Sequence, residues 1–144
     1  MDGEASSRLL LRSFVEVTRA FEDRVLSGLD IDGVRPAHLG VFRYLHPGGS
    51  RIGDLATSAG MTGQAMGELV GKMRELGFVD VVADAADRRA RLVVLTPRGR
   101  DAVARYAARV REVEEELGGQ IGADGVDDLR SLLDRCADAL GVAR

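Results

Sequence analysis

The sequence predicts a mainly α-helical fold that contains one small β-hairpin. Apolar residues recur at spacings of three and four in the two end segments, which is the period of amphipathic helices. Between them, Gly and Pro clusters divide the chain into short segments, and one of these alternates apolar residues at the period of a strand. The 144 residues, of which 45% are hydrophobic, suffice for one core, so we expect a single domain over residues 1–144.

Two helices are predicted in the N-terminal part of the chain. The first extends from about residue 7 to residue 29. The second begins near Pro36, which suits a first helical position, and ends at the His-Pro-Gly-Gly segment of residues 46–49. The predicted apolar positions are Leu10, Phe14, Val17, Phe21 and Val25 in the first helix and Leu39, Phe42 and Leu45 in the second.

Two shorter helices are predicted in the centre. Ser50 is the expected N-cap of the first and Thr62 of the second, because a hydroxyl oxygen can accept from the free N–H groups of a helix start. Gly60 suits the turn between them, and Gly77 closes the second helix. Their apolar faces are predicted at Ile52, Leu55, Ala56 and Ala59, and at Met66, Leu69, Val70, Met73 and Leu76.

A β-hairpin and two long helices complete the prediction. The strands lie near residues 78–82 and 91–95, and Thr96 with Pro97 then starts a long helix. A last helix begins at about Asp124, so these two helices form a hairpin around residues 118–125. Cys136, the one cysteine of the chain, lies on the apolar stripe of the last helix, where we expect a buried and inert thiol.

Positive charge is concentrated in the predicted β-hairpin, although the whole chain carries a net charge of −3. Residues 84–100 contain five arginines and two aspartates, whereas the residues from 101 onward contain six arginines and ten acids. Because phosphate contacts are local, an acidic protein with a basic edge can still bind DNA. Two helices followed by a basic hairpin predict a winged helix-turn-helix at about residues 36–99, flanked by dimerisation helices at about 7–29 and 97–141.

Other classes of protein find little support in the sequence. It holds no Gly-rich phosphate loop, no nucleophile motif and no Cys/His pair at metal-ligand spacing, so we expect no enzyme, no cofactor and no metal. The acidic N-terminus lacks a signal-peptide pattern and no apolar run could span a membrane, which predicts a cytoplasmic protein without a membrane partner. The alternative is a winged helix that contacts another protein; the acidic net charge favours it and the arginine cluster disfavours it.

Five short motifs lie between residues 52 and 99. They are Asp54-Leu55-Ala56, Thr62-Gly63-Gln64-Ala65-Met66-Gly67-Glu68-Leu69-Val70, Glu75-Leu76-Gly77-Phe78-Val79, Asp87-x-Arg89 and Leu95-Thr96-x-x-Gly99. In combination they resemble the MarR family of winged-helix transcription regulators, and the flanking helices match that family in order and length. The resemblance implies a homodimer on a pseudo-palindromic operator in double-stranded DNA. We expect repression, because blocking a promoter requires only occupancy.

Candidate DNA contacts lie near the start of the second central helix, off its apolar stripe. Gln64 can pair with adenine, and Thr62 can offer its hydroxyl or the first N–H groups to a phosphate. Glu68 either accepts from a cytosine amino group or pairs with Lys72, and we favour the pair because Glu-to-Lys at i,i+4 is the favourable order. The predicted DNA-contact residues are Ser50, Arg51, Thr62, Gly63, Gln64, Glu68, Lys72, Asp87, Arg88, Arg89 and Arg91.

Three glycines, Gly63, Gly67 and Gly71, form one stripe of the same helix. Each interior glycine costs about 1 kcal/mol relative to alanine. The bare stripe either permits close approach to the DNA backbone or to a neighbouring helix, or it reflects a Gly-rich composition of 18 glycines. The sequence does not decide between close approach and composition.

The resemblance also implies roles for the wing and for a ligand. It assigns Arg89 to the minor groove, and we expect Asp87 to orient Arg89 through a bidentate pair while Arg88 and Arg91 reach phosphates. It further implies a small aromatic or anionic effector, bound between the dimerisation helices and the DNA-binding part. The candidate pocket residues are Arg12, Arg35, His38 and Phe42, with His38 alternatively a packing residue.

Overall fold

The computed structural model describes residues 9–142, which form six α-helices and a three-stranded antiparallel sheet of order β1-β3-β2. The elements are α1 (Leu10–Ser27), α2 (Pro36–Tyr44), β1 (Ser50–Arg51), α3 (Ile52–Ser58), α4 (Gly63–Glu75), β2 (Val79–Ala83), β3 (Arg91–Leu95), α5 (Pro97–Ile121) and α6 (Ala123–Ala139). The predicted fold class is therefore confirmed. Residues 7 and 8 of the first predicted helix lie outside the described residues.

The predicted helix starts at two threonines are confirmed. The Thr62 hydroxyl accepts a hydrogen bond from the Ala65 N–H at 3.1 Å, and the Thr96 hydroxyl accepts from the Gly99 N–H at 3.0 Å. Gly60, with a φ of +64°, makes the turn between α3 and α4 in a left-handed conformation that only glycine adopts without strain.

Ser50 is not a helix cap, contrary to the prediction. With Arg51 it forms β1, which pairs with Val93 and Leu92 of β3 at one edge of the sheet. The Ser50 hydroxyl accepts instead from the His46 N–H at 3.0 Å and closes the turn before the strand. Two residues are too few to show a strand periodicity, so the sequence alone could not reveal this third strand.

The core lies where α2, α3 and α4 pack against the sheet and the start of α5. Phe42 and Phe78 meet edge to face there, with 5.7 Å between their ring centres. The largest fully buried side chains of this core are Phe78, Leu39, Leu55, Met66, Met73, Val41, Val70, Val79 and Val93. Most of them lie on the apolar stripes that the sequence predicts for α2, α3 and α4. Burial of its own stripe in this core holds α4 in place.

The terminal helices leave much of their apolar surface uncovered in the single chain. Helix α1 buries only Val25, and α6, which follows α5 after a turn at Gly122, buries no residue of its span. Cys136 is exposed, so the expected buried thiol is wrong for the isolated chain, because no described element covers the outer face of α6. None of the helices within residues 9–142 is long and apolar enough to cross a lipid bilayer.

Candidate nucleic-acid interface

Helix α4 presents an exposed polar face opposite the core. Met66, Val70 and Met73 anchor one side of the helix, and the helical period places Gln64 and Glu68 on the other side, where both are exposed. At the N-terminus, the exposed Thr62 caps one N–H group and leaves the remaining ones of the first turn available. This end of α4 can therefore receive a phosphate, and the face beyond it can contact base edges.

The predicted ion pair between Glu68 and Lys72 does not form. Lys72 Nζ lies 3.1 Å from Glu75 Oε2, and Glu68 Oε1 lies 3.5 Å from the Gln64 amide nitrogen, the outer limit of a hydrogen bond. Exposed ion pairs at i,i+3 and i,i+4 each stabilise a helix by only about 0.2–0.5 kcal/mol. The difference between the two spacings is therefore small, and helix spacing alone does not decide which pair forms. Across residues 9–142, no cation pairs with Glu68.

The glycine stripe of α4 faces open space. A Cβ atom added at Gly63, Gly67 or Gly71 would meet nothing within 4 Å. These glycines therefore do not allow close packing against a neighbouring helix of the same chain, and that part of the prediction is wrong. Contact with a molecule outside the described chain and mere composition remain as explanations.

The wing, which consists of β2, β3 and the loop of residues 84–90, carries the free positive charge. The two strands pair from Val79 with Leu95 to Ala83 with Arg91. Arg88, Arg89 and Arg91 are exposed and form no ion pair with any residue that the structure describes. An unpaired guanidinium group can bind a phosphate without first breaking an ion pair with a carboxylate.

Asp87 does not orient the guanidinium of Arg89, contrary to the prediction. Its Oδ1 accepts from the backbone N–H of Arg89 at 3.1 Å, which forms a tight turn and leaves the Arg89 side chain free. Its Oδ2 lies 3.9 Å from Nη2 of Arg51. The same Nη2 lies closer, at 2.9 Å, to Oδ2 of Asp84.

Asp84 is a residue of the wing that the sequence analysis did not single out. Its Oδ1 accepts from the Ala86 N–H at 2.9 Å. That hydrogen bond, followed by the one from Arg51, lowers the pKa of the Asp84 carboxyl below its ordinary value. Two aspartates three positions apart in a loop, Asp84 and Asp87, are typical of turns that are stabilised by side chains, and this spacing is the signal that could have identified Asp84.

A cavity of about 510 Å³ lies between α1, α2, α5 and α6. Its walls are mainly apolar, with Phe21, Val25, Leu39, Val110, Leu117 and Val126 among the lining residues. Two arginines in the lining are already paired: Arg43 with Glu22 at 2.6 Å and Arg130 with Glu114 at 3.3 Å. Burial alone would lower the pKa of Arg43, but hydrogen bonds with Glu22 and Tyr106 outweigh it and raise the pKa.

None of the four predicted effector-pocket residues lines this cavity. Arg12 is paired with a glutamate on the exposed side of α1, and the ring of Phe42 is part of the core. Arg35 is exposed just before α2. His38 is buried at the start of α2, where its Nδ1 accepts from the Arg35 N–H at 3.0 Å.

This hydrogen bond satisfies the N–H of Arg35, the residue that precedes α2. The His38 imidazole, at the third helical position, takes the role that a glutamate or glutamine side chain has in a capping box. Burial lowers the pKa of His38, and the nearby Arg35 charge lowers it further, against a hydrogen bond with the Gly33 carbonyl that raises it. The imidazole therefore serves in its neutral form, as the acceptor role of Nδ1 requires.

Comparison with known proteins finds similarity to transcriptional regulators of the MarR family. The model of the MarR family matches residues 32–90, which include α2, α3, α4 and most of the wing. The transcriptional activatory protein BadR of Rhodopseudomonas palustris is 44% identical over 52 residues, which are 36% of this chain and 30% of BadR, so the match spans less than a third of that relative.

Solved structures extend the similarity to nearly the whole fold. The transcriptional repressor CouR bound to a 23-mer DNA duplex has a TM-score of 0.76 and 25% identity, over 91% of this chain and 94% of that one. The MarR family protein Rv2887 of Mycobacterium tuberculosis in complex with salicylic acid has a TM-score of 0.71 and 25% identity, over 92% and 98% of the two chains.

Proposed function

Since this chain belongs to the MarR family of transcriptional regulators, we propose that it is a sequence-specific repressor of transcription that binds double-stranded DNA as a homodimer. One observation carries the proposal. The wing of an otherwise acidic chain holds three exposed arginines without an ion pair among the described residues. Such a local concentration of unpaired positive charge matches a polyanionic partner.

In the proposed complex, α4 enters the major groove with its N-terminus first. Gln64 pairs with adenine, while Thr62 and Lys72 contact phosphates. Arg89 enters the neighbouring minor groove, where narrow A·T tracts concentrate negative potential. The related repressor that was solved bound to a 23-mer DNA duplex supports double-stranded DNA as the partner.

The homodimer is proposed because both α1 and α6 expose apolar side chains. Leu10 is 67% exposed and Leu132 is 53% exposed, and large exposed apolar surfaces commonly mark an interface with a partner. A two-fold axis through these helices would present two copies of α4 to two half-sites, which is why we expect a pseudo-palindromic operator.

Light scattering coupled to size exclusion tests the dimer. Leu132→Asp should give a monomer, whereas Val82→Asp, a matched change at an exposed apolar residue of the wing, should leave the dimer intact. A wild-type monomer at micromolar concentration would refute this part of the proposal.

Release by a small effector is the further part of the proposal. The related protein crystallised with salicylic acid supports an aromatic ligand. In this chain the cavity between α1, α2, α5 and α6 is the place to test, because its walls are apolar and its arginines are already neutralised. Such a site should bind uncharged salicylamide at least as well as salicylate, as measured by the rise in unfolding temperature that each causes. Binding of salicylate alone would instead mean that a carboxylate displaces Glu22 or Glu114.

Fluorescence anisotropy across a salt series is the experiment that tests DNA binding. The probe is DNA from upstream of the protein's own gene, compared with a scrambled duplex of equal length and composition. Tight, salt-sensitive binding that prefers the upstream DNA supports a sequence-specific regulator. No binding to either duplex at low salt would refute the proposal and favour a winged helix that contacts another protein.

A further inference from the structure

Arg51 of β1 and Asp84, the residue that follows β2, meet across one face of the sheet. Arg51 of β1 is paired with Leu92 of β3, and Leu92 is paired with Val82 of β2, so these three side chains stand in one row. Asp84 follows Val82 by two residues, which returns its side chain to that face. Arg51 therefore extends across β3, with Nη2 at 2.9 Å from Oδ2 of Asp84.

Asp84 joins this contact to the rest of the wing loop. Its backbone N–H donates to the Ala90 carbonyl at 3.0 Å, and its Oδ1 accepts from the Ala86 N–H. Its side chain is only 14% exposed. Because Asp87 also lies 3.9 Å from the same guanidinium, Arg51 bridges two points of the loop that carries the free arginines.

We propose that Arg51 and Asp84 are a positioning pair, which holds the wing loop in the orientation in which Arg88 and Arg89 meet DNA. Arg51 then acts through Asp84 and is not itself a phosphate ligand. The inference rests on the proposed DNA binding for its function, but the pair's effect on the loop does not depend on DNA.

Two physical arguments support this role over a role in stability. A two-stranded ribbon has little rigidity by itself, and β1 adds backbone pairing only beside Val93 and Leu92, short of the loop. The Arg51 side chain extends the support of β1 beyond its last backbone pairing with β3. Because the Arg51 side chain is 47% exposed, solvent screens this ion pair and its contribution to global stability is small. Its loss should therefore change the loop and leave the unfolding temperature nearly unchanged.

The direction in which one substitution changes the affinity for DNA separates this proposal from a purely electrostatic effect. Asp84→Asn removes a negative charge beside DNA and frees Arg51, so a purely electrostatic account predicts tighter binding. A positioning pair predicts weaker binding, because the free arginines of the loop lose their fixed orientation.

The binding experiment uses a duplex selected with the unaltered protein from a randomised 24-base-pair library. We expect Asp84→Asn and Arg51→Ala each to weaken binding to this duplex by about five-fold or more. If the two residues act as a pair, the double variant should bind about as tightly as the single variant that has the lower affinity. Asp80→Asn is the matched control, because Asp80 also pairs with an arginine, Arg74, at 3.2 Å. It should bind as well as the unaltered protein or better.

Three further results decide the proposal. Arg89→Ala should reduce the affinity for DNA less in the Asp84→Asn background than in the unaltered protein. The reason is that Arg89 contributes less to binding when the loop is not held in a fixed orientation. Unchanged or tighter binding by Asp84→Asn would overturn the proposal. Additive losses in the double variant would also overturn it, because they would mean that Arg51 contacts DNA independently.

Amide hydrogen exchange of the free protein provides a test without DNA. In Arg51→Ala, the amides of residues 84–90 should exchange faster, while those of residues 92–95 keep their protection. Equal exchange in the two proteins would overturn the positioning pair. If the library yields no selected duplex, DNA binding as proposed fails, and the exchange measurement still decides whether Arg51 holds the loop.

Discussion

The carbonyl oxygen of Phe78 occupies the space that a Cβ atom on Gly99 would need. The same oxygen accepts from the Thr96 N–H at 3.1 Å, and the Thr96 hydroxyl also reaches the Gly77 carbonyl. The first turn of α5 is thus held directly against the residues that follow α4. This junction connects the long helix α5 with α4 and the wing.

Gly99→Ala should therefore destabilise the protein. The added methyl group overlaps a backbone atom that two hydrogen bonds hold in place, so we expect a loss of about 2–4 kcal/mol in the free energy of unfolding. Gly67→Ala is the control, since its Cβ meets open space, and it should gain up to about 1 kcal/mol from helix propensity. Urea denaturation monitored by circular dichroism measures both, and equal stability of the two variants would contradict the prediction.

Gly67→Leu should abolish DNA binding and leave a folded protein. The position is bare in the chain itself, so a large side chain disturbs only a partner that approaches α4 closely. Gly119→Leu on α5 is the control, because its surroundings are equally open and it is remote from α4 and the wing. Tight DNA binding by Gly67→Leu, measured by anisotropy, would assign the glycine stripe to composition alone.

Arg89→Ala should lower the affinity for DNA and reduce the slope of log K against log salt by about one unit. The reason is the loss of one guanidinium that has no ion pair within residues 9–142. Arg111→Ala removes the same charge from an exposed position of α5 and should leave the slope unchanged. An unchanged slope for Arg89→Ala would mean that the wing does not contact the DNA.

Glu68 should contribute to base preference. Its carboxylate has no cationic partner in the described structure, and on α4 it can accept a hydrogen bond from a cytosine amino group. Selection from a randomised library should recover a cytosine at one position of each half-site with the unaltered protein and lose it with Glu68→Ala. The same variant should bind non-specific DNA more tightly, because a repulsive charge is gone. Glu75→Ala is the control, since Glu75 is paired with Lys72; identical base preferences for the unaltered protein and Glu68→Ala would refute the role of Glu68.

His38 should make stability depend on pH below neutrality. Because burial lowers its pKa in the folded state, the unfolded chain binds the proton more readily, so stability is complete above about pH 6.5 and falls as the pH decreases below that value. His38→Asn keeps an acceptor for the Arg35 N–H and should flatten this part of the profile. His46→Gln, at an exposed histidine, should retain it. A profile from pH 5 to 8 that is the same for unaltered protein and His38→Asn would contradict the assignment.

The helices and the starts of α4 and α5 could be predicted because their signals are local. The hydroxyls of Thr62 and Thr96 and the turn at Gly60 act within a few residues, and the structure retains each of them. The apolar stripes of α2, α3 and α4 likewise identified most of the core. The exposed cysteine in α6 shows the limit, since an apolar stripe indicates which face is apolar but not what covers it.

The chain's sequence alone determined the order of the helices and of the two wing strands, the threonine caps of α4 and α5, the polar face of α4 and the concentration of arginine in the wing. Only the tertiary structure decided which partner each charged side chain takes: Lys72 pairs with Glu75, and Arg51 extends across β3 to Asp84. The physical reason is that exposed ion pairs differ by less than about 1 kcal/mol, so the choice among nearby acids depends on distances that only the folded chain defines. Arg51 and Asp84 are 33 positions apart, and the strand order β1-β3-β2 is what brings them together.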